Sequence, residues 1–195
     1  MSLFFETIRV QDGHIFHLDF HQKRLDTTIS RIFGQKSDIN LMEHIKPPSD
    51  KKLYRCKVIY DTKVRKVDFY PYQPKTFKEI TLVDATISYR YKSTDRSAFD
   101  HLKEGIQSDD ILIVKEGLLT DTSIANIALY DGLSWYTPQK PLLEGTYRAF
   151  MLKEKGLKIK NLGKKELQSC VKFAIMNAMI GFCELKNISF NKHKI

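Results

Sequence analysis

The sequence predicts an α+β chain with mixed sheets, arranged as two small domains over residues 1–83 and 84–195. Three observations lead there. β-branched and aromatic runs recur along the whole length and close on turn pairs such as Asp12-Gly13 and Asp131-Gly132. Stretches with helical apolar spacing lie between these runs without regular βαβ alternation. No internal repeat, low-complexity segment or long linker interrupts them. At 195 residues and 42% hydrophobic content the chain can bury a sizeable core.

LFFETIRV alternates and HIFHL returns after Asp12-Gly13, which predicts an N-terminal hairpin. A helix follows, with Asp19 as N-cap, Phe20, Leu25, Ile29, Ile32 and Phe33 near one face, and Gly34 as its stop. Asp38 is expected to cap a short second helix that Pro47-Pro48 ends. LYRCKVIY and KVDFYPY read as a strand pair turning at Asp61 to Lys63, and FKEITLVDATISYRY as a further extended run. Asp95 is a cap candidate for a helix carrying Phe99, Leu102 and Ile106. DILIVKEG, SIANIALY and LSWYTP then form successive strands. Gly145-Thr146 opens an amphipathic helix, TYRAFMLKEKG, with Gly156 as C-cap. LKIKNL, a short KKELQS helix, VKFAIMNAMIGF and ELKNISF complete the chain.

Composition excludes several classes. Phe173 to Cys183 is too short an apolar run to span a bilayer, and the N-terminus lacks a basic lead and a cleavage site, so a soluble cytoplasmic protein with no membrane partner is expected. The three cysteines, Cys56, Cys170 and Cys183, are widely spaced and form no C-x-x-C pair, which supports neither a disulfide framework nor a zinc knuckle. A net charge of +9 invites a nucleic-acid reading. The basic residues are dispersed among acids and no RNP-type signature is present, so nucleic acid is not the expected partner.

Polar residues inside apolar runs locate the chemistry. From Asp109 to Arg148, Asp121 and Asn126 sit within strands and need partners, Asn126 as a buried residue pinning its strand. Lys92 lies between an extended tyrosine-rich segment and a helix start, where a desolvated amine would lose proton affinity and become nucleophilic. His14, His17 and His21 fall on different elements with no companion acids or cysteines, so no metal site is expected. Neither G-x-S-x-G nor G-x-x-x-x-G-K-[ST] occurs, which weakens hydrolase and NTPase readings.

Four blocks in order, FETIRVQDGHIFHLDFHQKRL, YKSTDRS, LLTDTSIANIALYDGLSWYTPQKPLLEGTYR and AIMNAMIGF, resemble class IV aminotransferases, the fold-type-IV enzymes that use pyridoxal 5'-phosphate (PLP). The wording of FETIRV, K-x-x-x-R and MNAMIG is nearest to 4-amino-4-deoxychorismate lyase. The resemblance implies the D-amino-acid aminotransferase-like fold with a truncated N-terminal domain, and a homodimer. It makes Lys92 the catalytic lysine that forms a Schiff base with PLP and shuttles protons. Arg24 would grip the cofactor phosphate, Asp121 would face the pyridine nitrogen and Leu143 would wedge against the ring. Gly145-Thr146-Tyr147 resembles the family's G-I-T phosphate turn, and Asn177 and Ala178 fall at a second phosphate turn, where Asn177 would donate a hydrogen bond. Asp121 departs from the family's usual Glu and is shorter by about 1.5 Å.

The activity so implied is that of a PLP-dependent enzyme acting on a small-molecule amino substrate, a lyase releasing pyruvate and 4-aminobenzoate as in folate synthesis. The alternatives are an aminotransferase on a small D- or branched-chain amino acid, and a degenerate PLP-binding homologue without turnover. Arg90, Tyr91 and Arg96, close to Lys92, are the candidates for holding the substrate carboxylate.

Overall fold

Alternation in FFETIRVQ buries Phe4, Glu6, Ile8 and Val10 and leaves Phe5, Thr7, Arg9 and Gln11 on the opposite face of β1 (Phe4–Gln11) in the computed structural model, which describes residues 2–192. The turn at Asp12-Gly13 takes φ of 51° and 72°, the left-handed values a tight hairpin requires, and returns the chain as β2 (His14–Ile15). Helix α1 (Leu18–Phe33) begins one residue before Asp19, with His17 in the left-handed conformation as its N-cap. Asp19 therefore stands in the first turn, where its charge still meets the positive end of the helix. Gly34, at φ 68°, stops the helix as expected. Leu25 and Ile29 are buried with His21 and Thr28, while Ile32 turns outward at 41% exposure, so the buried stripe is narrower and more polar than the apolar spacing predicts.

Helix α2 is a single turn, Leu41–His44, capped by Asn40 rather than Asp38, because the Asn40 side chain accepts from Met42 N. Strands β3 (Leu53–Tyr60) and β4 (Val64–Pro71) follow, and the antiparallel sheet runs β2-β1-β3-β4. Its buried face carries Phe4, Ile8, Val10, Cys56, Val58 and Tyr60 against Leu25, Ile29 and Leu41. These elements, up to Pro74, form one compact unit together with the distant segment Tyr91–Asp95. That segment attaches through the β1 edge: Phe5 N donates to Lys92 O at 2.9 Å and Thr94 N to Leu3 O at 2.9 Å.

The second unit comprises Lys75–Arg90 and the residues from Arg96 onward. Its sheet has the order β10-β9-β8-β7-β6-β5-β13, with β11 paired to β8 and β12 to β11. The strands are β5 (Glu79–Asp84), β6 (Asp110–Lys115), β7 (Leu118–Thr122), β8 (Asn126–Tyr130), β9 (Trp135–Pro138), β10 (Lys158–Lys160), β11 (Lys172–Asn177), β12 (Gly181–Leu185) and β13 (Ser189–Lys192). Helices α3 (Ser97–Lys103), α4 (Thr146–Glu154) and α5 (Lys164–Ser169) complete it.

The 83/84 boundary expected from the sequence falls inside β5, which is held in this unit by its parallel partner β6. Of the long extended run FKEITLVDATISYRY only Glu79–Asp84 finds ladder partners; the rest is irregular. Arg96, not Asp95, occupies the N-cap position of α3, without a side-chain cap. A core of Ile80, Leu112, Leu119, Ile127, Phe173 and Ile175 lies along the sheet. It fixes the strands from which the polar residues of the next section project.

Candidate active site

The tightest polar arrangement of the second unit is built on a three-residue connection. Strands β7 and β8 are joined by Ser123-Ile124-Ala125, and Thr122 closes the turn, its N donating to Ala125 O at 2.9 Å and its Oγ1 accepting from Ala125 N at 3.1 Å. Asp121 and Asn126 thereby become direct partners across the ladder. The Asn126 amide donates to Asp121 Oδ1 at 2.7 Å and to Leu143 O at 2.8 Å, and Leu143 N donates to Asp121 Oδ2 at 2.9 Å. The backbone N–H and C=O of Leu143 are thus both held by two side chains, and the Pro141–Glu144 loop is fixed against the strand pair.

Asp121 and Asn126 are both buried, at 4% and 5% exposure. Burial pushes the Asp121 carboxyl up to about 7, against the Leu143 N–H, the Asn126 amide and the charge of Arg148. Arg148 is itself committed: it donates to Thr137 Oγ1 at 3.2 Å, to Pro138 O at 2.9 Å and to Glu144 Oε2 at 2.6 Å. Leu143 enters the site through its backbone, and its side chain packs toward Val83, Phe99 and Ile113.

Gly145 then starts α4 as its N-cap with no side-chain cap, so the positive end of this nine-residue helix is directed at whatever lies before it. A Cβ at Gly145 would stand 1.9 Å from Asn126 Oδ1, so the close approach of loop and strand admits only glycine. Thr146 is buried, and Tyr147 lies against the β11–β12 turn: its hydroxyl would be 3.4 Å from a Cβ on Gly181, which sits at φ 70°. In that turn Asn177 accepts Met179 N and Ile180 N at 2.9 and 3.1 Å, and its amide donates to Ile124 O at 3.3 Å. Asn177 therefore shapes the turn around Ala178 and ties it to the β7–β8 connection, a different employment from the direct phosphate donor expected. The start of α4 and the β11–β12 turn are neighbours through the contact of Tyr147 with Gly181.

In the first unit Glu6 is the organising residue. It is fully buried, yet its carboxylate receives Arg24 Nε at 2.9 Å, Arg24 Nη2 at 2.5 Å and His21 Nδ1 at 2.6 Å. Burial would raise its pKa, but Arg24 and His21 outweigh burial and hold the carboxyl down to about 2. Burial pushes His21 below its ordinary value in spite of Glu6, so the ring bonds to the carboxylate as a neutral N–H donor. Arg24 is thus held along one edge of its guanidinium. Lys92, in the segment attached to β1, places Nζ 4.7 Å from the centre of the Phe5 ring.

Of the expected carboxylate-binding candidates, Arg96 donates to Ser123 O at 2.6 Å and stacks on Phe99 at 4.5 Å, which steadies the β7–β8 connection. Tyr91 packs edge-on against Phe4. Arg90 is exposed. Glu6 was not singled out from the sequence, and His21 was weighed only as a metal ligand. The signal for Glu6 was present, since a Glu in the apolar register of FFETIRV needs a cation. Among the described residues no group of three or more His, Cys, Asp or Glu is placed to hold a metal, and no helix is long and apolar enough to cross a membrane.

Comparison with known proteins gives this arrangement its class. A family model for class IV aminotransferases matches residues 74–188. An uncharacterized protein of Haemophilus influenzae is 31% identical over 185 residues, covering 91% of this chain and 97% of its own length. Among solved structures, a candidate 4-amino-4-deoxychorismate lyase of Haemophilus somnus superposes with a TM-score of 0.83 at 28% identity, covering 93% of this chain and 98% of the other. A hypothetical aminotransferase of Mycobacterium tuberculosis, solved with PLP bound, shares the fold at a TM-score of 0.77 and 16% identity over 96% of this chain and 81% of its own. The chain belongs to the class IV aminotransferase family and is an enzyme of that family. Its short form is shared by the two Haemophilus proteins, almost the whole of which it matches.

Two predictions follow from these networks. Gly145→Ala should drive Asn126 off both its bonds and leave Asp121 and Leu143 O buried without it, costing about 2–4 kcal/mol in urea unfolding. The Glu6 carboxyl, depressed in the folded state, contributes stability that is present above its ordinary value and lost as pH falls toward about 2. Wild type should therefore lose on the order of 3 kcal/mol between pH 4.5 and 2. Glu6→Gln, already weaker at neutral pH, should lose less than wild type over that interval, because the Glu6 contribution is gone while the other depressed carboxyls still titrate.

Proposed function

We propose that the chain binds PLP and acts as a 4-amino-4-deoxychorismate lyase-like enzyme, releasing pyruvate and an aromatic amine from an amino substrate, as a homodimer. The observation that carries this reading is Asp121, a buried carboxyl pushed up to about 7 because its hydrogen-bond donors do not compensate for lost water. A protonated heteroaromatic nitrogen is the kind of partner that would relieve it. The start of α4, where glycine is the N-cap, beside the Asn177–Ala178 turn suits a phosphate at the other end of the same molecule. The residues present therefore fit the cofactor.

When bound, PLP supplies an electron sink that makes a proton on the carbon bearing the substrate's amino group removable. Lys92 would hold the cofactor and move that proton at Nζ. Arg24, held along one edge by Glu6, would bind the phosphate with its fork. Asp121 would keep the ring nitrogen protonated, with Asn126 fixing the carboxylate and the Leu143 peptide behind it. The backbone starting at Thr146 and Tyr147, with the turn at Asn177 and Ala178, would complete the phosphate site. The likeness to the candidate lyase of Haemophilus somnus supports the lyase over the transaminase outcome.

Two measurements test the reading. The raised Asp121 carboxyl contributes apo stability that is fully present below its ordinary value of 3.8 and lost as pH rises through about 7. Apo protein should lose roughly 4 kcal/mol across that window from this group, and saturation with PLP should remove the slope by lowering the carboxyl's pKa. Purified protein loaded with PLP should absorb in the visible, and borohydride should fix the cofactor on the Lys92 peptide. Lys92→Ala should lower pyruvate release from aminodeoxychorismate about 10³-fold or more. Product only from paired amino acids and 2-oxo acids would instead make the protein a transaminase.

A further inference from the structure

Arg148 stands in the first turn of α4, where two local effects disfavour it. A cation there meets the positive end of the helix, and a guanidinium taken out of water loses hydration that is costly to replace. Arg148 is nevertheless 2% exposed, while Glu144, the carboxylate paired with it, is 67% exposed. Its other acceptors, Thr137 Oγ1 and Pro138 O, are neutral. The acid bonded to this buried charge thus lies largely in water, where its field is weakened.

The three bonds fix where the guanidinium lies. Pro138 ends β9 and Glu144 immediately precedes the N-cap of α4, so the fork closes both ends of the connection that carries Leu143. Thr137 Oγ1 accepts from Arg148 Nε and itself donates to Ile127 O at 2.8 Å, next to Asn126 on β8. Two separate stretches of chain therefore hold Arg148 beside the meeting point of Asp121, Asn126 and Leu143. Asp121 is faced by the Asn126 amide from β8, by backbone groups of Leu142 and Leu143 from the loop, and by Arg148 from α4. Among these, Arg148 alone carries charge.

We infer that Arg148 is a positioning residue of the cofactor site: it closes the loop that brings Leu143 to Asp121, and it supplies the positive charge that favours Asp121 as a carboxylate. The inference rests on the proposed meeting of Asp121 with the cofactor's ring nitrogen, which an anion holds protonated and a neutral carboxyl does not. A guanidinium suits both tasks. It stays charged throughout the pH range in which proteins fold, and its planar fork reaches two acceptors at once, which an ammonium on a flexible stem does not do with the same geometry. Arg148 acts through Asp121 and Leu143, and the proton transfers of the reaction are left to other groups.

The test compares Arg148→Lys, which keeps the charge without the fork, with Arg148→Met, which keeps much of the stem without the charge. Urea unfolding of the apo protein from about pH 4 to 9 reads Asp121 through the stability that wild type loses up to about pH 7. Removing the cation raises the carboxyl further, so in Arg148→Met this loss should continue about one pH unit higher. Arg148→Lys should keep the wild-type window. Glu144→Gln, a change at an exposed side chain, removes the acid that offsets Arg148 and should move the window down instead. A clamp without an electrostatic role would lower stability by a similar amount at every pH. PLP titration followed by the visible band should show affinity about tenfold weaker in Arg148→Lys and weaker still in Arg148→Met. A window unmoved in Arg148→Met, or in Glu144→Gln where Arg148→Met does not fold, would overturn the inference and leave the cofactor reading standing, as would wild-type PLP affinity in Arg148→Lys. No visible band in PLP-loaded wild type would overturn that reading and the inference with it.

Discussion

The grip of Asp121 and Asn126 on the backbone N–H and C=O of Leu143 is the constraint on which the second unit's chemistry depends. It joins three things with no other reason to coincide: the end of one strand, the start of the next, and the loop that delivers α4. Because the Asp121 carboxyl and the Asn126 amide are buried, a partly formed version would be costlier than an apolar packing. The arrangement is therefore all or nothing, and it dictates glycine at 145 at the point where strand and loop come closest. The helix start inherits its position from a carboxylate on β7, more than twenty residues earlier in the chain.

The first unit solves a similar problem with opposite electrostatics. Where Asp121 is buried beside neutral donors and driven toward its protonated form, Glu6 is buried beside a guanidinium and an imidazole and held ionised. The cluster of Glu6, His21 and Arg24 is close to neutral as a whole. Arg24 then acts through the direction of its N–H groups more than through a long-range field. On the opposite sheet face Lys57 and Lys92 both place Nζ near the Phe5 ring.

Much of this was legible in the residues and some was not. Turn pairs and β-branched runs placed β1, β2, β3, β4, β6, β8 and β9, because those signals are local, while the short β7 was not read as a separate strand. Helix caps were less readable. His17 and Asn40 took the positions expected of Asp19 and Asp38, since tertiary contacts decide where a helix is released. Asp121, Asn126, Gly145 and Asn177 could be marked as polar or turn residues in apolar company. That Asn177 points its oxygen into its own turn, and that Leu143 serves through its backbone, depends on loop conformations that no periodicity encodes. The return of Tyr91–Asp95 to the first unit is also invisible locally, because its partner Leu3–Phe5 is almost ninety residues away in sequence.

The connection between β7 and β8 sets a limit on how this protein can change. Asp121 and Asn126 face each other because three residues separate Thr122 from Asn126, and strand side chains alternate with a period of two. Removing or adding one residue among Ser123, Ile124 and Ala125 would turn Asn126 to the far side of the sheet and orphan both Asp121 and the Leu143 peptide. Substitution can explore the identity of these residues one at a time, as the aspartate at 121 illustrates. Length cannot be explored in single steps, so descendants of this sequence are free to drift in composition here while the spacing stays locked.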